Sequence, residues 1–168
     1  MKRTFTLLLA VLLLFLTGCS GSKTTNSVTF YFPKNLRQPG NANFETFYST
    51  ETRDHTDAQD LQHFIRAYLQ GPLGDDVISP FPENTQLVRL ETQDSLVTVH
   101  LSREFSQLSG IELTTACACL SLTLFGLTDA DQVRIISPES GRNPAVDMTL
   151  SRSNLILTDT VTGANGSR

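Results

Sequence analysis

Residues 87–101, LVRLETQDSLVTVHL, carry apolar residues at alternate positions on either side of a polar interruption. Val88 and Leu90 share one face of the first half, and Val97, Val99 and Leu101 share one face of the second, because strand side chains alternate with period two. The stretch predicts a half-buried hairpin folded back at Thr92-Gln93-Asp94-Ser95. Without a glycine after the aspartate, a four-residue turn is expected over a two-residue one. Near the start of the chain, Val28, Phe30 and Phe32 alternate with Thr29 and Tyr31 until Pro33 ends the run, which predicts a strand over 27–32. Residues 44–53 alternate less cleanly and predict a second, more exposed strand.

Two stretches change period. Leu61, Phe64, Ile65, Tyr68 and Leu69 fall at i, i+3, i+4, i+7 and i+8, the stripe of an amphipathic helix. Thr56 with Gln59 forms a candidate capping box ahead of it, and Gly71-Pro72 stops it. Prolines 72, 80 and 82 make 72–84 an extended loop that delivers the chain to the hairpin. A second helix is predicted from Ser109, with Glu112 completing another capping box, to about Phe125 with Gly126 as the stop. Its stripe of Leu113, Cys117, Leu120, Leu124 and Leu127 is accompanied by Cys119, Leu122 and Phe125 on other faces, so this is the more buried helix. A strand over 132–137 follows, and a short one over 145–150. Residues 158–168 are polar and are expected to be disordered.

The first 18 residues have a different logic. Lys2 and Arg3 precede an apolar run too short for a comfortable membrane span, and Leu16-Thr17-Gly18-Cys19 places small residues before a cysteine. This is the layout of a bacterial export signal, and its end resembles a lipoprotein lipobox. The expectation is cleavage after residue 18, a diacylglyceryl thioether on Cys19, and a flexible tether over 19–27. The predicted location is the extracytoplasmic face of the cell membrane, with that lipid anchor as the contact to the bilayer. Lys2 and Arg3 are the only charges in the leader, so its removal leaves 11 basic against 17 acidic residues, a net charge of −6. An acidic domain has little to gain from phosphate backbones, so nucleic acid is not an expected partner.

With the elements in order, several short motifs fall into a family pattern: Val28-Thr29-Phe30-Tyr31-Phe32, Leu69-Gln70-Gly71-Pro72, Ser79-Pro80-Phe81-Pro82-Glu83-Asn84-Thr85, Val97-Thr98-Val99-His100-Leu101-Ser102 with Phe105, and Val133-Arg134-Ile135. In order and spacing the chain resembles a GerMN domain, the module of bacterial sporulation and spore-germination lipoproteins. It departs from the family at Ser95, usually glycine, and at His100, usually aspartate. The resemblance covers 28–157 and implies an α+β fold akin to ring-building motifs: a compact two-layer sandwich, a mixed or antiparallel sheet covered by two helices in the order ββαββαβ. It implies a role in assembly at the envelope, with envelope proteins as partners, and supplies no catalytic residues.

Candidate chemistry is sparse. His55 lies between Asp54 and Asp57, but no ligand spacing follows it; His63 and His100 read as surface residues. Cys117 and Cys119 diverge by about 200° around a helix axis, which disfavours a disulfide, and they read as small buried hydrophobes. No nucleophile motif or phosphate loop occurs, so no enzyme, metal or cofactor is expected. The apolar Val77, Ile78 and Phe81 in the 72–84 loop are the candidate partner-contact residues, together with the polar strand over 44–53; the alternative for the three is that they tuck under the loop as a satellite core. The functional expectation is a non-enzymatic protein-interaction module; the alternative is a lipoprotein that binds a small ligand such as a muropeptide or germinant. Oligomeric state is left open.

Overall fold

The computed structural model describes residues 26–37, 46–55 and 60–155. The expected signal peptide, Cys19, the Thr56–Gln59 capping box and the C-terminal tail lie outside the described residues, as does the expected tether up to residue 25; its last two residues, Asn26 and Ser27, belong instead to the first strand. The elements follow in the order β1 (Asn26–Pro33), β2 (Tyr48–His55), α1 (Leu61–Leu69), β3 (Leu87–Gln93), β4 (Leu96–Leu101), α2 (Gly110–Leu127), β5 (Gln132–Ser137) and β6 (Val146–Ser151), with a 3₁₀ turn at Arg103–Gln107 before α2. This is an α+β fold, as expected, with its strands divided between two sheets. β1 and β2 form an antiparallel pair, and the other four run in the order β3-β4-β5-β6. β4 and β5 are parallel because α2 lies between them in the chain and carries it back across.

The predicted hairpin is present, with two corrections. Gln93 pairs with Leu96, so Asp94 and Ser95 form a two-residue turn in place of the expected four; Asp94 takes φ +50°, a conformation aspartate tolerates better than most residues. A bulge between Leu87 and Arg89 also shifts the register: Leu87 faces Leu101, and Leu90 faces Val99. The extra residue turns Leu87 and Leu90 to the same side, and Val88 becomes exposed instead of sharing the Leu90 face. On β4 the expected face holds, with Val97, Val99 and Leu101 all buried.

α1 is capped by Asp60, whose carboxylate accepts the His63 N–H at 2.8 Å. Ile65 and Tyr68 are the buried centre of its stripe. Ser109 stands at the N-cap of α2, but its hydroxyl makes no capping bond, so the second expected capping box does not form. α2 is apolar on several faces because β1 packs along it on one side while β5 and β6 approach on another. The outward edge of β1 is covered by side chains of both helices. The Tyr31 N–H donates to Thr123 Oγ1 at 3.1 Å, and the Tyr31 carbonyl accepts from the Tyr68 hydroxyl. Burial pushes the Tyr68 phenol well above its ordinary pKa, so it keeps the proton it donates.

An arginine closes the C-terminal end of each helix. Arg53 of β2 donates to the Ala67 carbonyl at 3.2 Å and the Gly71 carbonyl at 2.8 Å, and its guanidinium lies 4.7 Å from the centre of the Phe30 ring. Its Nε is 2.6 Å from Glu51, whose other oxygen accepts the Leu73 and Gly74 amides. Arg152, just after β6, donates to the Phe125 and Ala130 carbonyls at 2.9 Å each. Both place positive charge where helix carbonyls lack partners.

Cys117 and Cys119 are buried free thiols, and Cys117 Sγ lies 3.7 Å from Met148 Sδ. Burial pushes both thiols up to about 12. At pH 8 the thiolate fraction is then roughly one part in ten thousand. In native protein both cysteines should resist iodoacetamide, as read by mass spectrometry, and should be alkylated fully once urea unfolds the chain. Fast native labelling of either would show that α2 opens far below the global unfolding free energy.

Candidate functional site

β1 ends at Pro33, and the backbone beyond it is held between two segments distant in sequence. The Lys34 N–H donates to the Phe47 carbonyl at 3.0 Å, the Asn35 N–H to the Asp76 carbonyl at 2.9 Å, and the Ile78 N–H to the Pro33 carbonyl at 2.9 Å. Lys34 and Val77 form an isolated antiparallel bridge. The 72–84 loop is thereby pinned to the strand end. Phe81 turns inward from it, edge-on to the Tyr68 ring at 5.0 Å and tilted against Phe105 at 6.3 Å. The 3₁₀ turn and the first turns of α2 close the other side.

These elements enclose an open groove of about 670 Å³, within the usual range for ligand clefts. Phe81, Pro33 and Pro82 belong to its lining, and Leu36, Phe47, Ile78 and Ile111 supply apolar side chains at its rim. These four remain 63%, 45%, 47% and 82% exposed. An apolar surface gathered from four separate segments is the kind of patch that marks an interaction site.

Of the three sequence-predicted contact residues, Ile78 is on the surface and in the groove. Phe81 also lines the groove, but at 8% exposure it belongs to the core. Val77, equally buried, is not among the lining residues. The expected exposure therefore holds for Ile78 alone, because the Lys34 bridge and the packing on Tyr68 draw the other two inward. Of the 44–53 stretch, Thr46 and Phe47 line the groove. Leu36 and Ile111 lie outside the contact surfaces expected from sequence, and Phe47 falls within one only as part of the 44–53 strand. Ile111 offered the clearest signal, an isoleucine in the first turn of the second helix that lies off the 113–117–120–124 stripe.

Two of the three histidines, His55 and His63, are neighbours, and His100 is held on the hairpin. His55 packs edge-on against Phe64 at 4.6 Å, with His63 at 6.3 Å, while His100 Nε2 lies 3.2 Å from Arg89 Nη2 and 3.4 Å from Glu91 on the opposite face of the hairpin from Val99. Among the described residues no group of three histidine, cysteine or acidic side chains is arranged to hold a metal ion.

The fold has solved counterparts. The chain is similar to the first GerMN domain of the sporulation protein GerM from Bacillus subtilis, at 15% identity and a TM-score of 0.56, covering 77% of this chain and 99% of that one. It is also similar to the tandem GerMN domains of the same protein, at 19% identity and a TM-score of 0.50, covering 77% of this chain and 47% of that one, so it spans about half the length of the tandem structure. No curated protein sequence matches it. The model of the Germane family, described as sporulation and spore germination, matches residues 29–137, well over half of the sequence. That match places the chain in the Germane family of sporulation and spore-germination domains.

Proposed function

We propose that this domain is a lipid-anchored envelope module that works by non-enzymatic protein–protein contact, with the apolar groove as its docking surface. The observation that carries the reading is the rim of Leu36, Phe47, Ile78 and Ile111, which leaves large apolar side chains in water without serving the core. The lipobox ending at Cys19 supports an anchor on the extracytoplasmic face of the membrane. Confinement there raises effective concentration, so a contact of modest intrinsic affinity suffices. Family membership supports a place in sporulation or germination. The alternative, binding of a muropeptide or germinant, draws on the concavity and size of the groove. The exposure of Ile111 and Leu36 favours the larger partner.

The test is in-cell crosslinking through a photoreactive residue at position 111, in growing and sporulating cultures. Discrete envelope-protein adducts that disappear with Ile78→Ser are expected. Ile78→Ser should change stability by less than about 1 kcal/mol, since half the side chain is already in water, whereas Phe81→Ser destabilises the core and is not a clean probe. Recovery of the uncrosslinked chain alone, where a known envelope complex crosslinks, would overturn the protein-contact reading. A thermal-shift screen with muropeptides and amino acids then tests the alternative.

A further inference from the structure

The groove and the recess beside it together carry more basic than acidic side chains, unlike the chain as a whole. The chain has 17 acidic against 13 basic residues; the groove lining holds one of each sign, Lys34 and Glu112, and Arg37 lines the recess that adjoins it along Lys34, Leu36 and Ile78. The Arg37 guanidinium has no hydrogen-bond or ion-pair partner among the described residues, its backbone N–H alone being bonded, to Asn35. The N-terminus of α2 opens on the same groove; the Ser109 hydroxyl caps nothing, and Glu112 in the first turn is the acidic group that offsets the partial positive charge there.

Shape separates a polypeptide from a small ligand. A molecule seated on Phe81 at the floor would leave Leu36 and Ile111 wet, whereas a chain laid across the groove covers both. The groove is also set at the far end of β1 from the first described residue. It lies at the Pro33 end of β1, and Asn26 at the other end is about 23 Å distant at the usual rise per residue.

Resting on the docking reading above, we infer that the groove takes an apolar segment of a partner polypeptide flanked by aspartate or glutamate, with the acidic side chain against Arg37. Apolar side chains fill the space over Phe81 and cover Ile111. The carboxylate gains a planar guanidinium suited to two parallel hydrogen bonds, in a setting where the acidic remainder of the surface repels it.

The probe is a random peptide-display library selected against the full chain in lipid nanodiscs, with empty nanodiscs used for counterselection. Enriched peptides should combine apolar residues with a neighbouring acidic one. A synthetic version, followed by fluorescence anisotropy, should bind about tenfold more weakly to Ile111→Asp and to Arg37→Glu. Arg37→Glu should regain affinity for the peptide whose acid is changed to lysine. All these positions are exposed, so melting temperature should be unchanged and loss of binding is not loss of fold. Peptides lost with Ile111→Asp but indifferent to Arg37→Glu would overturn the acidic-flank inference and leave the docking reading intact. Absence of any groove-directed peptide would overturn the inference, and if the residue-111 crosslinks are absent from cells as well, the docking reading falls with it.

Discussion

Replacing Phe30 by alanine is expected to destabilise the domain by about 3–5 kcal/mol, the usual cost of emptying a phenylalanine site in a core. Phe30 is fully buried, stacks nearly parallel to Tyr68 at 5.4 Å, leans on Phe32 at 6.5 Å and lies under the Arg53 guanidinium. Its neighbours come from β1, β2 and α1, and two of them, Arg53 and Tyr68, are fixed by hydrogen bonds to backbone carbonyls, so the site collapses little around the missing ring. Phe47→Ala is the control: the same atoms are removed from a side chain that is 45% exposed, and the cost should stay below about 1 kcal/mol. Urea unfolding of both variants gives the comparison. Equal midpoints would mean that the β1–α1 contact is not a centre of stability.

Arg53→Met should rank close behind, at about 2–4 kcal/mol. The apolar stem can be replaced, but two carbonyls at the end of α1 lose their donor and Glu51 loses its cation in a place where little of it meets water. Burial alone would raise the Glu51 carboxyl; the Arg53 hydrogen bond and the Leu73 and Gly74 amides outweigh that and hold it below its usual value. A carboxyl with a depressed folded-state pKa stabilises the fold above its unfolded value and loses that contribution as pH falls through the folded one. Wild-type stability should therefore decline as pH drops below about 4.3, the ordinary glutamate value, and the Arg53→Met variant should decline less over the same range. A double-mutant cycle with Glu51→Gln isolates the pair. Additive costs and identical acid profiles would show that the two residues act independently.

Much of this fold is legible in local pattern. β5 occupies the predicted 132–137, the α1 stripe is buried at Ile65 and Tyr68, and the β4 face is buried throughout. What escapes are features decided by partners. The bulge at Val88 arises from pairing with β4, and no periodicity within 87–93 contains it. The separation of β1–β2 from the larger sheet depends on α2 lying against the β1 edge; the polar Thr123 within an apolar helix is the trace of that in sequence. The groove is less legible still. Leu36, Phe47 and Ile111 are scattered apolar residues, Ile78 is one of three in its loop, and only the tertiary fold makes the four neighbours. Val77 and Phe81 show the converse, since apolar residues in a proline-rich loop do not announce which way they turn.

The covered edge of β1 bears on how the chain reaches this structure. The groups of Tyr31 that point away from β2 are satisfied by Tyr68 and by Thr123, and the second of these is separated from it by 92 positions. The β1–β2 pair is synthesised first and presents a bare strand edge until α2 exists and docks. Over that interval it can pair with another chain as readily as with its own. Thr123→Val, which strips the acceptor from the Tyr31 N–H, should therefore cost the finished domain about 1–3 kcal/mol and also lower the yield of soluble protein from the nascent one.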